Sequence, residues 1–139
     1  MAEIRKFEIS FPLTIRLKHG IHTIFLFAMP DWTFSRLTAE LLFILQDRYP
    51  DGLTTSISRA ITTSVPASGD DVKVVYARPK NPNDLSEGWK NLNAQPTDTI
   101  AEKGLKENCA VAFALLDPEA DVEDVEFLVE LPMQDYDEA

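Results

Sequence analysis

Residues 13–29, LTIRLKHGIHTIFLFAM, decide the fold of this chain. Leu13, Ile15 and Leu17 alternate with polar residues, which is the two-residue period of a half-buried strand. A turn at residues 18–20 follows, with a glycine that tolerates unusual backbone angles. His22–Met29 then reads as a second, more apolar strand. Two strands joined by a short turn predict a β-hairpin.

A helix is predicted directly after the hairpin. Pro30 ends the second strand, and Thr33 has a side chain suited to a helix N-cap. Apolar residues then recur at spacings of three and four, as on the buried face of an amphipathic helix. They are Phe34, Leu37, Leu41 and Leu45. We expect the helix to run from Phe34 to about Arg48, before a Tyr-Pro-Asp-Gly stop.

The remaining elements are shorter. Residues 51–71 are rich in serine and threonine and predict a long loop, with a short strand around Ile57–Thr62. Further strands are predicted at Val72–Ala77, Trp89–Leu92 and Ala110–Leu116, with a tight turn at Ile100–Leu105. We therefore expect a lead-in at 1–12, one domain at 13–116, and an acidic extension at 117–139.

Composition limits the classes of function. The chain has 139 residues, 45% of them hydrophobic, and suits a single domain with a proper core. Its net charge of −10 argues against direct binding to nucleic acid or to anionic membranes. With one cysteine, Cys109, no internal disulfide is possible, and no signal peptide is evident. We expect a protein of the cytoplasm, the nucleus or both.

No catalytic constellation stands out in the sequence. Phosphate loops, zinc-protease helices, paired-cysteine motifs and nucleophile elbows are all missing from it. His19 and His22 flank the first turn, but two histidines without clustered partners are more often ordinary polar residues than metal ligands. Cys109 begins an apolar strand and reads as a buried thiol. We expect no enzyme, no cofactor and no metal.

The element order resembles the β-grasp fold of ubiquitin. Residues 29–37, MPDWTFSRL, are similar to ubiquitin's step from second strand to helix, and residues 98–107, DTIAEKGLKE, with Cys109–Leu115, are similar to its last turn and strand. The resemblance covers Leu13–Leu116. It implies an α+β domain with a mixed sheet in the order 2-1-5-3-4, packed on one main helix.

The chain also departs from ubiquitin. The loop at 51–71 is long, and no Gly-Gly follows the last strand, which argues against a conjugated modifier. Trp32–Pro50 and the loop and strand beyond it are also similar to the ubiquitin-like Sin3-associated subunit of histone-deacetylase and splicing assemblies. A ubiquitin-like modifier and a subunit of that chromatin or splicing type therefore remain alternative functions.

Strand alternation assigns side chains to the two faces of the sheet. The face toward the helix receives the core, namely Leu13, Ile15, Leu17, Ile24, Leu26, Val74, Tyr76, Val111, Phe113 and Leu115, joined by Ile100 and Leu105. The outer face is unusually apolar for an antiparallel sheet left to water. Either a partner covers it or the chain covers itself, and both interpretations remain open.

The acidic extension contains one apolar pattern. Val125, Phe127, Val129, Leu131 and Met133 lie at two-residue spacing, as in an amphipathic strand that needs a partner edge. We predict a non-catalytic adaptor or scaffold subunit that binds one or more proteins within a larger complex. The predicted protein-binding residues are Phe25, Phe27, Met29, Val75, Ala112, Val125, Phe127, Val129 and Leu131.

Overall fold

The computed structural model describes residues 11–57, 60–66, 72–120 and 125–130. Within these ranges the chain forms strands and one α-helix. In chain order they are β1 (Leu13–His19), β2 (His22–Ala28), α1 (Phe34–Arg48), β3 (Leu53–Ser56), β4 (Ile61–Thr63), β5 (Lys73–Pro79), β6 (Trp89–Asn91) and β7 (Cys109–Leu116). A single 3-10 turn at Leu85–Glu87 precedes β6.

Five of the strands form a mixed sheet in the order β2-β1-β7-β5-β6. β1 and β7 are parallel, and the other neighbours are antiparallel. The order reads differently from the predicted 2-1-5-3-4 because two further strands, β3 and β4, precede β5 in the chain and form a separate two-stranded sheet. The class is α+β, and the arrangement is compatible with a β-grasp.

The helix has the predicted bounds and the predicted cap. Thr33 stays extended, and its hydroxyl oxygen accepts a hydrogen bond from the Arg36 N–H at 3.2 Å. At the other end the Tyr49 N–H donates to the Leu45 carbonyl at 2.8 Å. The first contact gives a partner to an N–H at the start of the helix, and the second gives one to a carbonyl at its end; without them these groups would be left to water.

The core lies between the helix and the sheet. Phe113 in the central strand β7 is fully buried, as are Leu37, Leu41 and Leu45 of α1. Of the predicted core residues, Leu13, Val74 and Leu115 are partly buried and pack against this cluster, and the others are buried within it. The predicted core residues are therefore confirmed as core.

The prediction of a loop at residues 51–71 is wrong for residues 53–56 and 61–63, which form strands. Leu53 is fully buried and opens β3, which pairs with β4 through a register shift between Thr54 and Ser56. The short strand expected around Ile57–Thr62 is thus replaced by two strands on either side of a turn. Residues 58–59 and 67–71 lie outside the described ranges, as does most of the predicted lead-in. No helix in the described part of the chain is long and apolar enough to cross a membrane.

Candidate protein-binding surface

The edge strand β2 carries the most exposed part of the sheet. β2 pairs with β1 on one side, and among the described strands its other side forms an edge of the five-stranded sheet. Ile24, Leu26 and Ala28 point into the core, so alternation turns Phe25 and Phe27 outward. Their side chains are 62% and 68% exposed. We name Phe25 and Phe27 the edge patch.

The centre of the same sheet face is closed. Val75 is 9% exposed and Ala112 is completely buried. Because these values belong to a single chain, the chain itself covers the middle of its outer face. Two of the predicted binding residues, Val75 and Ala112, are therefore not accessible to a partner in this conformation. On the outer face of the sheet, the predicted binding residues that stay accessible are those of the edge patch and half-buried Met29, which lies just beyond β2.

The extension returns to the first hairpin. Residues 125–130 do not form the predicted regular strand; they run as irregular chain with one parallel bridge, between Val129 and Gly20. The Gly20 N–H donates to the Leu128 carbonyl at 2.7 Å, and the Glu130 N–H donates to the Gly20 carbonyl at 2.8 Å. Val125, Phe127 and Val129 are half-buried, while Leu131 and Met133 lie outside the described residues.

Glu130 ties this returning segment to β3. One carboxylate oxygen accepts a hydrogen bond from the Ser56 hydroxyl at 2.7 Å, and the other accepts one from the Ile57 N–H at 3.1 Å. Hydrogen bonds to a charged acceptor are stronger than neutral ones. The polar face of the predicted strand thus carries a specific contact, which the alternation of apolar residues alone did not predict.

Gly20 is the point where these segments meet. Its φ of +58° is in the left-handed region, and a Cβ at this position would lie 2.0 Å from the Thr54 carbonyl oxygen. The next residue, Ile21, donates its N–H to that same oxygen at 3.2 Å. We name Gly20 with its contacts to Thr54, Leu128 and Glu130 the Gly20 junction. It holds the turn between β1 and β2 against two other parts of the chain.

His19 is buried beside this junction. Its Nδ1 lies 3.0 Å from the Phe113 carbonyl oxygen, which can only accept, so Nδ1 carries the proton. Nε2 then accepts from the Thr63 hydroxyl at 2.8 Å. Burial lowers the pKa of His19, which favours this neutral form. The sequence did not distinguish this structural histidine from an exposed one.

His22 also has its ring nitrogen engaged. Its Nε2 accepts a hydrogen bond from the Thr54 N–H at 3.0 Å, and burial lowers the pKa of the ring. The two histidines therefore direct nitrogen atoms at separate protein donors rather than at one common point. In the described ranges no three His, Cys, Asp or Glu side chains come together as a metal site would require.

Cys109 lies half-buried at the start of β7. Burial raises the pKa of its thiol, so the thiol stays protonated at neutral pH. Because the thiolate is the nucleophilic form, this environment does not activate the sulfur.

No model of a known protein family matches the sequence, and comparison with curated proteins gives no significant match. What the surface does is therefore inferred from its own geometry and chemistry.

Proposed function

We propose that this chain is a non-catalytic, ubiquitin-like adaptor or scaffold subunit that binds a protein partner along β2. The observation that carries the proposal is the edge patch, two phenylalanines more than half exposed on an edge strand. Aromatic side chains are enriched among the residues that dominate protein–protein binding energy. Their exposure in a single chain leaves their apolar area available to a partner.

The composition of β2 supports the same proposal. Proteins usually protect an edge strand with charged residues, proline, a bulge or a short length. β2 has seven residues, His22–Ala28, and contains neither a proline nor a lysine, arginine, aspartate or glutamate. Its register with β1 is continuous from Leu13–Ala28 to His19–His22, so no bulge twists the edge away. A partner strand added to this edge would pair its backbone and cover both phenylalanines.

The ubiquitin-like character of the proposal rests on the resemblance in sequence together with the arrangement of the sheet. β1 and β7 lie side by side and parallel, β2 flanks β1, β5 flanks β7, and the helix packs across the inner face. Such a scaffold presents its surfaces without requiring a catalytic group.

The test replaces the two phenylalanines of the edge patch and compares the result with the replacement of an equally exposed phenylalanine elsewhere on the surface. The full chain is tagged and purified from its own cells as wild type, as the double variant Phe25→Ser/Phe27→Ser, and as the control Phe43→Ser. Phe43 is 69% exposed on α1, away from β2. We expect stoichiometric partners with the wild type and the control. Their affinity for the double variant should be at least about thirtyfold weaker, as expected when aromatic hot spots are removed.

Two results would contradict the proposal. Wild-type protein that purifies without any stoichiometric partner would remove the adaptor role. Partners that bind the double variant as tightly as the control would leave the role but move it away from β2. Thermal unfolding of the three proteins, followed by circular dichroism, checks that none of the substitutions disturbs the fold.

A further inference from the structure

A basic cleft opens at the end of the sheet where β5 ends and β7 begins. Its volume is about 670 Å³. Six of the chain's 13 lysines and arginines line it, and no aspartate or glutamate does. The six are Arg16, Arg78, Lys80, Lys90, Lys103 and Lys106. In a chain with 23 acidic residues, this separation of charge is a feature of the fold rather than of the composition.

The sequence conceals this cleft because its residues come from distant elements. Arg16 lies in β1, Arg78 lies in β5, Lys90 lies in β6, and the others follow β5 or precede β7. No run of basic residues marks them. The net charge of −10 describes the whole chain and does not describe this end of the sheet.

Two of the cations face each other across a strand pair. Arg78 and Lys90 are direct partners in the antiparallel register of β5 and β6. Like charges in that position destabilise a sheet. Among the residues that the structure describes, neither side chain has a carboxylate within ion-pair distance, so none of these residues compensates the repulsion. An anion bound between them would relieve it.

Other cleft residues are held in place. The Arg16 Nε donates to the Asn108 carbonyl at 3.1 Å, which fixes the guanidinium at one side of the cleft. The Lys103 Nζ lies 3.6 Å from an Asp98 carboxylate oxygen. The Glu107 carboxylate, next in sequence to the cleft, does not line it and accepts a hydrogen bond from the Thr14 N–H at 2.9 Å. One of the six cations is thus fixed in position and another is offset by Asp98, so the cleft keeps an excess of positive charge.

We propose that the basic cleft binds an acidic peptide segment of a protein partner, with an apolar side chain between its carboxylates. This inference rests on the proposed adaptor function and names a second contact for it. The apolar part of the lining, formed by Pro79, Pro82, Leu105 and Ala110, accommodates the apolar side chain. Lysine and arginine around it supply the partners for carboxylates.

The cleft chemistry favours a peptide over a nucleic acid. Binding to single strands uses aromatic side chains on which bases stack. No aromatic residue lines this cleft. A long polyanion would also extend beyond the cleft onto a chain with a net charge of −10, where it is repelled. A short acidic peptide places its few charges within reach of the cations alone.

The test measures binding of a fluorescein-labelled peptide with blocked ends, Glu-Asp-Leu-Asp-Glu-Glu, to the full-length protein by fluorescence anisotropy. The neutral peptide Gln-Asn-Leu-Asn-Gln-Gln is the ligand control. We expect the acidic peptide to bind, the neutral one not to bind, and the affinity to fall as salt rises. Lys90→Glu should weaken binding about tenfold, because it replaces an attraction with a repulsion. Arg48→Glu, an equal charge change on α1, should not.

Each remaining outcome overturns the inference. Equal weakening by Lys90→Glu and Arg48→Glu would show only a response to net charge. Absence of binding to the wild type at low salt would remove the site. Tighter binding of an oligothymidine than of the peptide, lost in Lys90→Glu, would replace the peptide by a nucleic acid. These results are separate from the adaptor proposal, because native partners that depend on Phe25 and Phe27 would still support it.

Discussion

The two edges of the main sheet differ in almost every property that governs recognition. β2 is seven residues long, uncharged, and presents two exposed phenylalanines. β6 has three residues, pairs with a strand that ends in proline, and places Lys90 opposite Arg78. β6 is short and charged, which are usual defences against unwanted pairing, whereas β2 is long and has no charge, proline or bulge of its own. One sheet thus offers an apolar edge and a basic edge, which suits a partner with two distinct contacts.

The exposed phenylalanines of β2 should not be needed for folding, whereas Phe113 in the central strand β7 should be. Phe113→Ala should lower the free energy of unfolding by about 3–5 kcal/mol, because it leaves a cavity in the core shared by both edges. Phe25→Ala, on the exposed edge, should change it by no more than about 0.5 kcal/mol. Urea unfolding measures both. Similar losses for the two variants would break the distinction between edge and core.

The next largest effect is expected at the turn that begins β2. Gly20→Ala forces a Cβ against the Thr54 carbonyl and strains a positive φ, so we expect a loss of about 2–4 kcal/mol. Gly104 also has a positive φ, +77°, but nothing lies within 4 Å of its Cβ position. Gly104→Ala should therefore cost only the backbone strain, about 1 kcal/mol. Equal losses, measured by thermal unfolding, would show that close packing at the Gly20 junction is unimportant.

A smaller effect is expected for the carboxylate that holds the returning segment. Glu130→Gln removes the charge from the acceptor of two hydrogen bonds and should cost about 1 kcal/mol. Glu126 is exposed, and Glu126→Gln should have almost no effect. Hydrogen exchange sharpens the result, since the Glu130 N–H is bonded to the Gly20 carbonyl and should exchange faster in the first variant only. Unchanged exchange would mean that the backbone contacts alone hold the segment.

Stability should also depend on pH through the two histidines at the turn between β1 and β2. Burial lowers the pKa of His19 below its ordinary value of 6.5. The contribution of neutral His19 to the free energy of unfolding is fully present above pH 6.5. As the pH falls below 6.5, the unfolded chain binds a proton at His19 more readily than the folded chain does, so this contribution is lost as the pH approaches the lower pKa of the folded state. His19→Gln should make the stability curve less steep between about pH 7.5 and 5.5, a window above the carboxylate titrations, and His22, whose pKa burial also lowers, accounts for the slope that remains. A curve unchanged from that of the wild type would exclude His19 as its source.

Local periodicity was enough to predict the parts of the molecule that bury one apolar face. Phe34, Leu37, Leu41 and Leu45 share one side of a helix, and the helix has the bounds that this spacing predicts. The alternation in residues 13–29 likewise predicted the hairpin and the outward position of Phe25 and Phe27. These features depend on residues close together in sequence, so the sequence displays them directly.

What the sequence did not display depends on contacts between distant segments. β3 contains only one strongly apolar residue, Leu53, and its place in the structure depends on Thr54 and Thr55 meeting the first hairpin. The burial of Val75 and Ala112 depends on what lies over the sheet, which alternation cannot reveal. Residues 125–130 have strand periodicity, but Gly20 supplies a backbone partner at a single position, so one bridge forms instead of a strand.

The parallel pairing of β1 with β7 has a consequence for how the chain acquires its structure. His19 contacts the Phe113 carbonyl across 94 positions in the sequence. Contacts of that separation close a large loop and slow folding relative to local ones. During synthesis the hairpin of β1 and β2 emerges before Cys109–Leu116, and until that strand leaves the ribosome β1 lacks its parallel neighbour. The nascent hairpin thus exposes the β1 edge that the finished sheet covers, and unpaired strand edges of this kind make folding intermediates prone to aggregate.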